Sequence, residues 1–258
     1  MSQKNGIPAQ YTKEYKDYFI EGFDIDSVGS YYFLCGQKAT LVKIGRDKSP
    51  LFRKTYDQFS PNSMTVQKGK IFIFDNTYNH NTLTVLNSQN GDIIKQYPKL
   101  LLNVVNSCFY DDSAIILEVF NAEKPITMNT NVAYLKYRMN GEFIEEVKDK
   151  YGVPLSIFSE QAVNMVGYIV GQVNDTLVFK KSDDEIGNCT FWIGDTSGKI
   201  FQKAVITGKI FGTFLPEGEQ EHFKVRNRNI YVLSRKEKNV CITIIPIDQL
   251  FSNLKEKK

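Results

Sequence analysis

Three stretches of this 258-residue chain superpose without a gap on a glycine: Leu83 to Lys95 on Gly91, Ala133 to Glu145 on Gly141, and Thr190 to Gln202 on Gly198. Each reads as a short apolar strand, a polar turn that closes on glycine, one charged residue and an apolar pair. Glycine in that slot supplies the positive φ that a tight hairpin connection requires. A fourth stretch, Thr40 to Lys54, has the same shape with Lys48-Ser49-Pro50 in place of the glycine turn.

Another strand-like run precedes each stretch at a similar distance, and a fifth pair follows. The leading runs start at 31, 71, 114, 176 and 230, spaced by 40, 43, 62 and 54 residues. Runs around Ser63, Val163 and Glu221 precede several of them and add a further strand to those copies. Three or four antiparallel strands repeating at this period make the unit of a β-propeller blade. Such a unit cannot cover both of its faces alone, and stacking around an axis covers them. The expectation is therefore an all-β fold, a small β-propeller of five blades built from three- to four-stranded sheets. The stretch 142–170 has room for a sixth. Ring closure should join the two ends of the chain within one blade, with 242–247 and 20–25 as the strands, and Pro246 argues for an edge position. The alternative is a β-sandwich or an open twisted sheet.

The strand, Asn/Asp turn, strand, glycine, apolar-pair unit resembles the blades of the divergent propeller superfamilies, the NHL, YVTN and quinoprotein-like repeats. The resemblance spans most of 25–248 and rests on periodicity. No WD dipeptide, kelch double glycine or Asp-box run accompanies it, and it implies a fold without a specific family.

Composition agrees with sheet. Phe (18) and Tyr (14) far outnumber the single Trp, and both suit pleated, half-buried surfaces. The expected organisation is a lead-in over 1–20 with room for a short helix at 9–21, one propeller domain over 21–250, and a basic tail over 251–258. A helical turn is expected at 248–254, capped by Asp248. The N-terminus lacks the apolar core of a secretory signal, and no run approaches the roughly 18 apolar residues of a spanning helix. A cytoplasmic protein with no membrane-spanning segment is the resulting expectation. Cys35, Cys108, Cys189 and Cys241 are scattered, which fits buried thiols better than a disulfide or metal framework.

The search for chemistry yields few constellations. Gly194 to Ile200 is one residue short of a phosphate-binding loop and lacks its hydroxyl. With His80 and His222 as the only histidines, a His-rich metal centre is excluded. His80, in a polar connection with Tyr78 and Asp75 nearby, is the candidate ligand-binding histidine of a rim. The acidic groups Asp111-Asp112, Asp183-Asp184-Glu185 and Glu217/Glu219/Glu221 read as solvated turns without Ca²⁺-loop spacing. Residues 38–54 and 224–238 each carry a net charge of +5, and 14–26 a net −4. Should the two basic stretches meet, Lys43, Arg46, Arg53, Lys224, Arg226, Arg228 and Arg235 would line one positive face.

Three functional readings follow. The first is a non-enzymatic scaffold that binds a protein or peptide through rim loops or one face. The second is a metal-dependent hydrolase or lyase with Asp75, Glu118 and Asp175 holding a divalent cation in a central pocket. The third is nucleic-acid binding through the basic face, which would weaken steeply with salt. Nothing in the sequence indicates another cofactor.

Overall fold

Runs of four to eight residues rich in β-branched and aromatic side chains, cut by Asn, Asp and Gly, favour strands over helices, and strands are what form. The computed structural model describes residues 3–6, 20–35, 39–57, 61–77, 80–98, 105–110, 114–120, 132–138, 143–147, 168–174, 176–180, 188–195, 199–207, 222–236 and 239–251. The chain is a β-propeller: five four-stranded antiparallel sheets, its blades, fall into two compact units, Tyr18–Leu155 and Met1–Asp17 with Ser156–Lys258.

The first unit holds three blades. They are β2 (Ile20–Ile25), β3 (Tyr31–Cys35), β4 (Thr40–Ile44) and β5 (Pro50–Thr55); then β6 (Pro61–Gln67), β7 (Lys70–Thr77), β8 (His80–Asn87) and β9 (Ile93–Pro98); then β10 (Val105–Tyr110), β11 (Ala114–Phe120), β12 (Val132–Arg138) and β13 (Phe143–Val147). The second unit holds β14 (Tyr168–Val173), β15 (Thr176–Lys180), β16 (Asn188–Asp195) and β17 (Ile200–Thr207), and a last blade of β18 (Phe223–Arg226), β19 (Asn229–Lys236), β20 (Asn239–Pro246) and β1 (Gln3–Gly6). One short helix, α1 (Ile247–Leu250), follows β20.

Several expectations shift by one strand. The runs starting at 31, 71, 114, 176 and 230 lie in the second strands, because all five blades, not only some, begin with an earlier inner strand. Closure is made by Gln3–Gly6, which pairs with Cys241–Ile244, while 20–25 is the inner strand of the first blade. The tight turn at Asp26–Ser30 ties β2 to β3 locally, and the free edge of β20 goes to the chain end. β20 is consequently flanked on both sides. Pro246 is tolerated there because β1 reaches only to Ile244, so the missing N–H interrupts no bond on that side. Pro246 also caps α1, and Asp248 sits inside its first turn. Of the candidate helix at 9–21, residues 20–21 belong to strand β2, and residues 9–19, like the stretch 148–167, lie outside the described residues.

Apolar cores lie between blades. Tyr32, Leu34, Leu41 and Tyr56 of the first blade pack against Met64, Val66, Ile71, Ile73 and Leu86 of the second. In the other unit Val178, Cys189, Phe191 and Ile193 pack against Phe223, Val225, Ile230, Val232 and Ile245. Phe191 and Phe223 meet edge to face at 5.9 Å, the favoured arrangement for aromatic pairs.

Close approach of the inner strands imposes a second repeat. In the first four blades the inner strand bulges at its second or third residue: Glu21, Asn62, Asn106 and Val170 are each skipped in the pairing. A small residue follows every bulge, namely Gly22, Ser63, Ser107 and Gly171. A Cβ on Gly22 would lie 3.2 Å from that of Met64 on β6, and one on Gly171 only 2.3 Å from that of Val225 on β18. Asp24, fully buried, spans the same gap in the first unit, accepting a bond from the Val66 amide at 2.8 Å.

Gly171→Ala is expected to cost about 3 kcal/mol by overpacking, and Gly22→Ala about 1 kcal/mol, since Met64 can give by a few tenths of an ångström. Chemical denaturation of both checks the order. Val225→Gly in the Gly171→Ala background should be less damaging than the two losses added.

Candidate functional site: the outer blade edges

The hairpin that leads into each fourth strand carries the glycine-anchored repeat. Gly91 has φ +73°, and Lys48, in the equivalent slot two residues before its strand, has φ +70°. The turns are fixed by side chains in the same way. Asp47 accepts the Ser49 amide at 3.0 Å and its hydroxyl at 2.6 Å, and Asn90 accepts the Asp92 amide at 3.0 Å. The Ser49 bonds hold the Asp47 carboxyl below the ordinary carboxylate range.

The apolar pair after the glycine divides its two residues between opposite fates. In the fourth strands of four blades the first member is paired across the ladder: Pro50, Ile93, Phe143 and Ile200. The second is skipped: Leu51, Ile94, Ile144 and Phe201 sit in bulges. A bulge re-aims its side chain and breaks the regular edge. Leu51 is 51% exposed, Ile94 52% and Ile144 40%, and Ile93 is exposed beside its neighbour. β5, β9, β13 and β17 all end their sheets among the described residues. In three successive blades, therefore, an aliphatic side chain stands in water at the same point of the outer edge.

A polar latch locks the first two of these edges together. The turn 87–92 of the second blade rests against the first blade. Lys43 donates to the Ser88 carbonyl at 2.9 Å, and the Tyr32 hydroxyl, 3.2 Å from that carbonyl, also bonds Asp26 at 3.0 Å. The Lys43 ammonium lies 5.0 Å from the Tyr32 ring centre and 3.9 Å from Asp26. Further out, Tyr56 donates to the Gly91 carbonyl and Lys54 to Asp92. Burial, then the Asp26 charge, pushes the Tyr32 phenol up; burial, then Asp92, does the same to Tyr56. Both hydroxyls consequently remain protonated donors.

The residues singled out in the sequence fall on several strands and turns. Lys43 is buried in the latch. Arg46 and Arg53 are exposed, the latter on β5. Arg228 is engaged with Asp248 at 2.5 and 3.2 Å, which holds that carboxyl low, and Arg226 bonds the Val225 carbonyl at 3.0 Å. Lys224 and Arg226 are half-buried on β18, and Arg235 lies on β19. The two basic stretches belong to different compact units. His80 opens β8 opposite Thr77 instead of lying in a connection. Asp75 is buried on β7, Glu118 is on β11, and both belong to second strands. Tyr78, Asp175 and the three acidic groups lie outside the described residues. Among the described residues no three His, Cys, Asp or Glu side chains are grouped to hold a metal, and no helix is long and apolar enough to cross a membrane.

His222 is buried just before β18 with neither ring nitrogen partnered among the described residues. Burial, then the Lys224 charge, lowers its pKa to about 4.

No family model matches the sequence, and no curated protein does. Among solved structures, glutaminyl cyclase from Myxococcus xanthus aligns over 94% of this chain and 94% of its own, at 10% identity and a TM-score of 0.55. BamB from Moraxella catarrhalis aligns over 86% of this chain and 81% of its own, at 13% identity and a TM-score of 0.40. The likeness to the glutaminyl cyclase, at this identity, is one of fold alone.

Lys48→Gly is expected to stabilise by about 0.5 kcal/mol, relieving a left-handed backbone against a smaller gain in unfolded-chain entropy. Gly91→Ala should cost about 2 kcal/mol or more, since its Cβ would also meet the Tyr56 hydroxyl at 2.9 Å. Urea midpoints of both read this directly. His222 is neutral in the folded state down to about pH 4 and charges near 6.5 in the unfolded chain, so its contribution is intact above pH 6.5 and is lost as pH falls towards 4. The loss is at most about 1.4 kcal/mol per pH unit. His222→Phe should flatten that part of the stability profile, followed by the fluorescence of the single Trp192; equal slopes for both proteins would refute it.

Proposed function

We propose that this chain is a non-enzymatic propeller scaffold that holds a protein or peptide partner along the outer edges of its blades. The reading is carried by the repeated exposed aliphatic at the fourth-strand bulge: Leu51, Ile94 and Ile144. A single exposed aliphatic is ordinary on any protein. Three at one structurally equivalent position, on strands that end their sheets among the described residues, form a surface with a period. The bulges also oppose indiscriminate strand addition, which favours recognition through side chains. Compared with the rim-loop expectation, the contact moves from the loops to the last strand of each blade. Of the basic-face residues, Lys43 is buried against the Ser88 carbonyl and Arg228 is paired with Asp248 at the surface.

Photo-crosslinking from position 94 in native extract, with the captured protein identified and purified, tests the proposal. Leu51→Glu and Ile94→Glu, each folded as judged by unchanged unfolding midpoints, should weaken that partner roughly tenfold or more, the usual loss for a desolvated apolar anchor. A partner bound equally well by both variants and by Ile144→Glu would overturn it.

A further inference from the structure

The last blade departs from the others at its fourth strand. In the other four blades a bulge interrupts the pairing of the third and fourth strands. The β1–β20 pairing runs from Gln3↔Ile244 to Gly6↔Cys241 without one, and β19–β20 is equally regular. The two paired strands are also mismatched in chemistry. From Val240 to Ile245, β20 reads Val-Cys-Ile-Thr-Ile-Ile, uncharged and mostly β-branched, whereas β1 is Gln-Lys-Asn-Gly. Val, Ile and Thr suit strands; Lys, Asn and Gly are depleted in them. Cross-strand side-chain pairs supply much of a ladder's strength, and β1 sets no apolar side chain opposite Cys241, Ile242, Thr243 or Ile244. The fourth strand of the neighbouring blade is unlike it: Ala204 and Ile206 of β17 pack onto the core that Val232 and Ile245 join. β1 also stops short, since Asn239, Val240 and Ile245 lie beyond its register.

We propose that β1 is a replaceable strand: its place on β20 takes an extended segment of another protein, which joins the blade as an antiparallel fourth strand and sets β-branched residues where β1 has Lys4 and Asn5. The inference goes beyond the scaffold reading and uses none of Leu51, Ile94 and Ile144. Main-chain bonds that β1 gives up on β20 are re-formed by the incoming strand, so the exchange leaves no backbone group of β20 unpaired. The gain lies in side chains. Val232 of the core is paired with Thr243, and Thr243 with Lys4; a valine or isoleucine in place of Lys4 extends that row with an apolar pair. A longer segment also pairs with Val240 and Asn239. The unbroken ladder accepts a strand in full register, which the bulged edges of the other blades oppose. A second copy of this chain would bring the same Gln-Lys-Asn-Gly and gain nothing, which favours a different protein. Against the exchange stands the tether of β1 to its own blade, a high effective concentration. Apparent affinity therefore scales with the fraction of molecules whose β1 has left β20.

The probe is a fluorescein-labelled peptide of alternating valine and threonine with lysine at both ends, read by anisotropy on the full chain, beside the same peptide carrying two central prolines. Lys4→Pro/Asn5→Pro loosens β1, because neighbouring amides of a strand point to opposite sides and one of the two lost donors faces β20. It should tighten peptide binding roughly tenfold or more by raising the open fraction. Lys4→Val/Asn5→Thr strengthens β1, stabilises the fold and should weaken binding by a similar factor. A photo-crosslinker at the centre of the peptide should map to 239–246. No binding to the proline variant at millimolar peptide, equal binding of the proline-containing peptide, or the same affinity in both variants would overturn the proposal. So would crosslinks to β5, β9, β13 or β17, or a dimer of the unaltered chain that Lys4→Pro/Asn5→Pro abolishes, which would assign the exchange to a second copy. Each of these outcomes leaves the crosslinking test at position 94 standing, since that test reads a different blade.

Discussion

Each blade has two faces too apolar for water and no second layer of its own, and this single deficit organises the molecule. The cores lie between sheets, one blade's inner and middle strands against the next blade's. Contact has to be closest at the inner strands. Gly171 therefore has no room for a methyl group against Val225, and Gly22 little against Met64. A bulge before each of these small residues lets the strand turn locally while the ladder resumes. Apolar contact is supplemented by buried polar bridges, Asp24 to the Val66 amide and Lys43 to the Ser88 carbonyl, whose strength comes from exclusion of water.

The fourth strands are the counterpart of that packing. With cores filled between neighbours, β5, β9, β13 and β17 each have one sheet partner among the described residues. Bulges at Leu51, Ile94 and Ile144 disrupt the edge as a template for strand addition and at the same time display an aliphatic side chain. Protection and display are produced by the same irregularity. In the last blade the fourth strand is β1, paired with β20, which ties the first and last described strands into one sheet.

Much of the blade plan was legible in the residues. The Gly91 turn, its Lys48 equivalent and the strand–turn–strand order follow from local chemistry: the left-handed slot, the Asx bonds of Asp47 and Asn90, and alternating apolar positions. The surface was harder to read. Ile93-Ile94 and Phe143-Ile144 look like ordinary strand pairs in a linear pattern. Only the register reveals that their second members are skipped. Lys43 looks like one of six cations in a basic run, yet its ammonium is drawn inward by a carbonyl 45 residues away. A count of charges cannot distinguish a solvated lysine from a latch.

Local chemistry, then, determined the number and kind of the repeating units, because turn geometry and strand periodicity depend on residues a few positions apart. Tertiary structure decided which strand is innermost, which end closes the last sheet, and which apolar residues meet solvent. Those outcomes depend on the pairing register and on the distance between backbones of different blades, neither of which is written in any one segment of the chain.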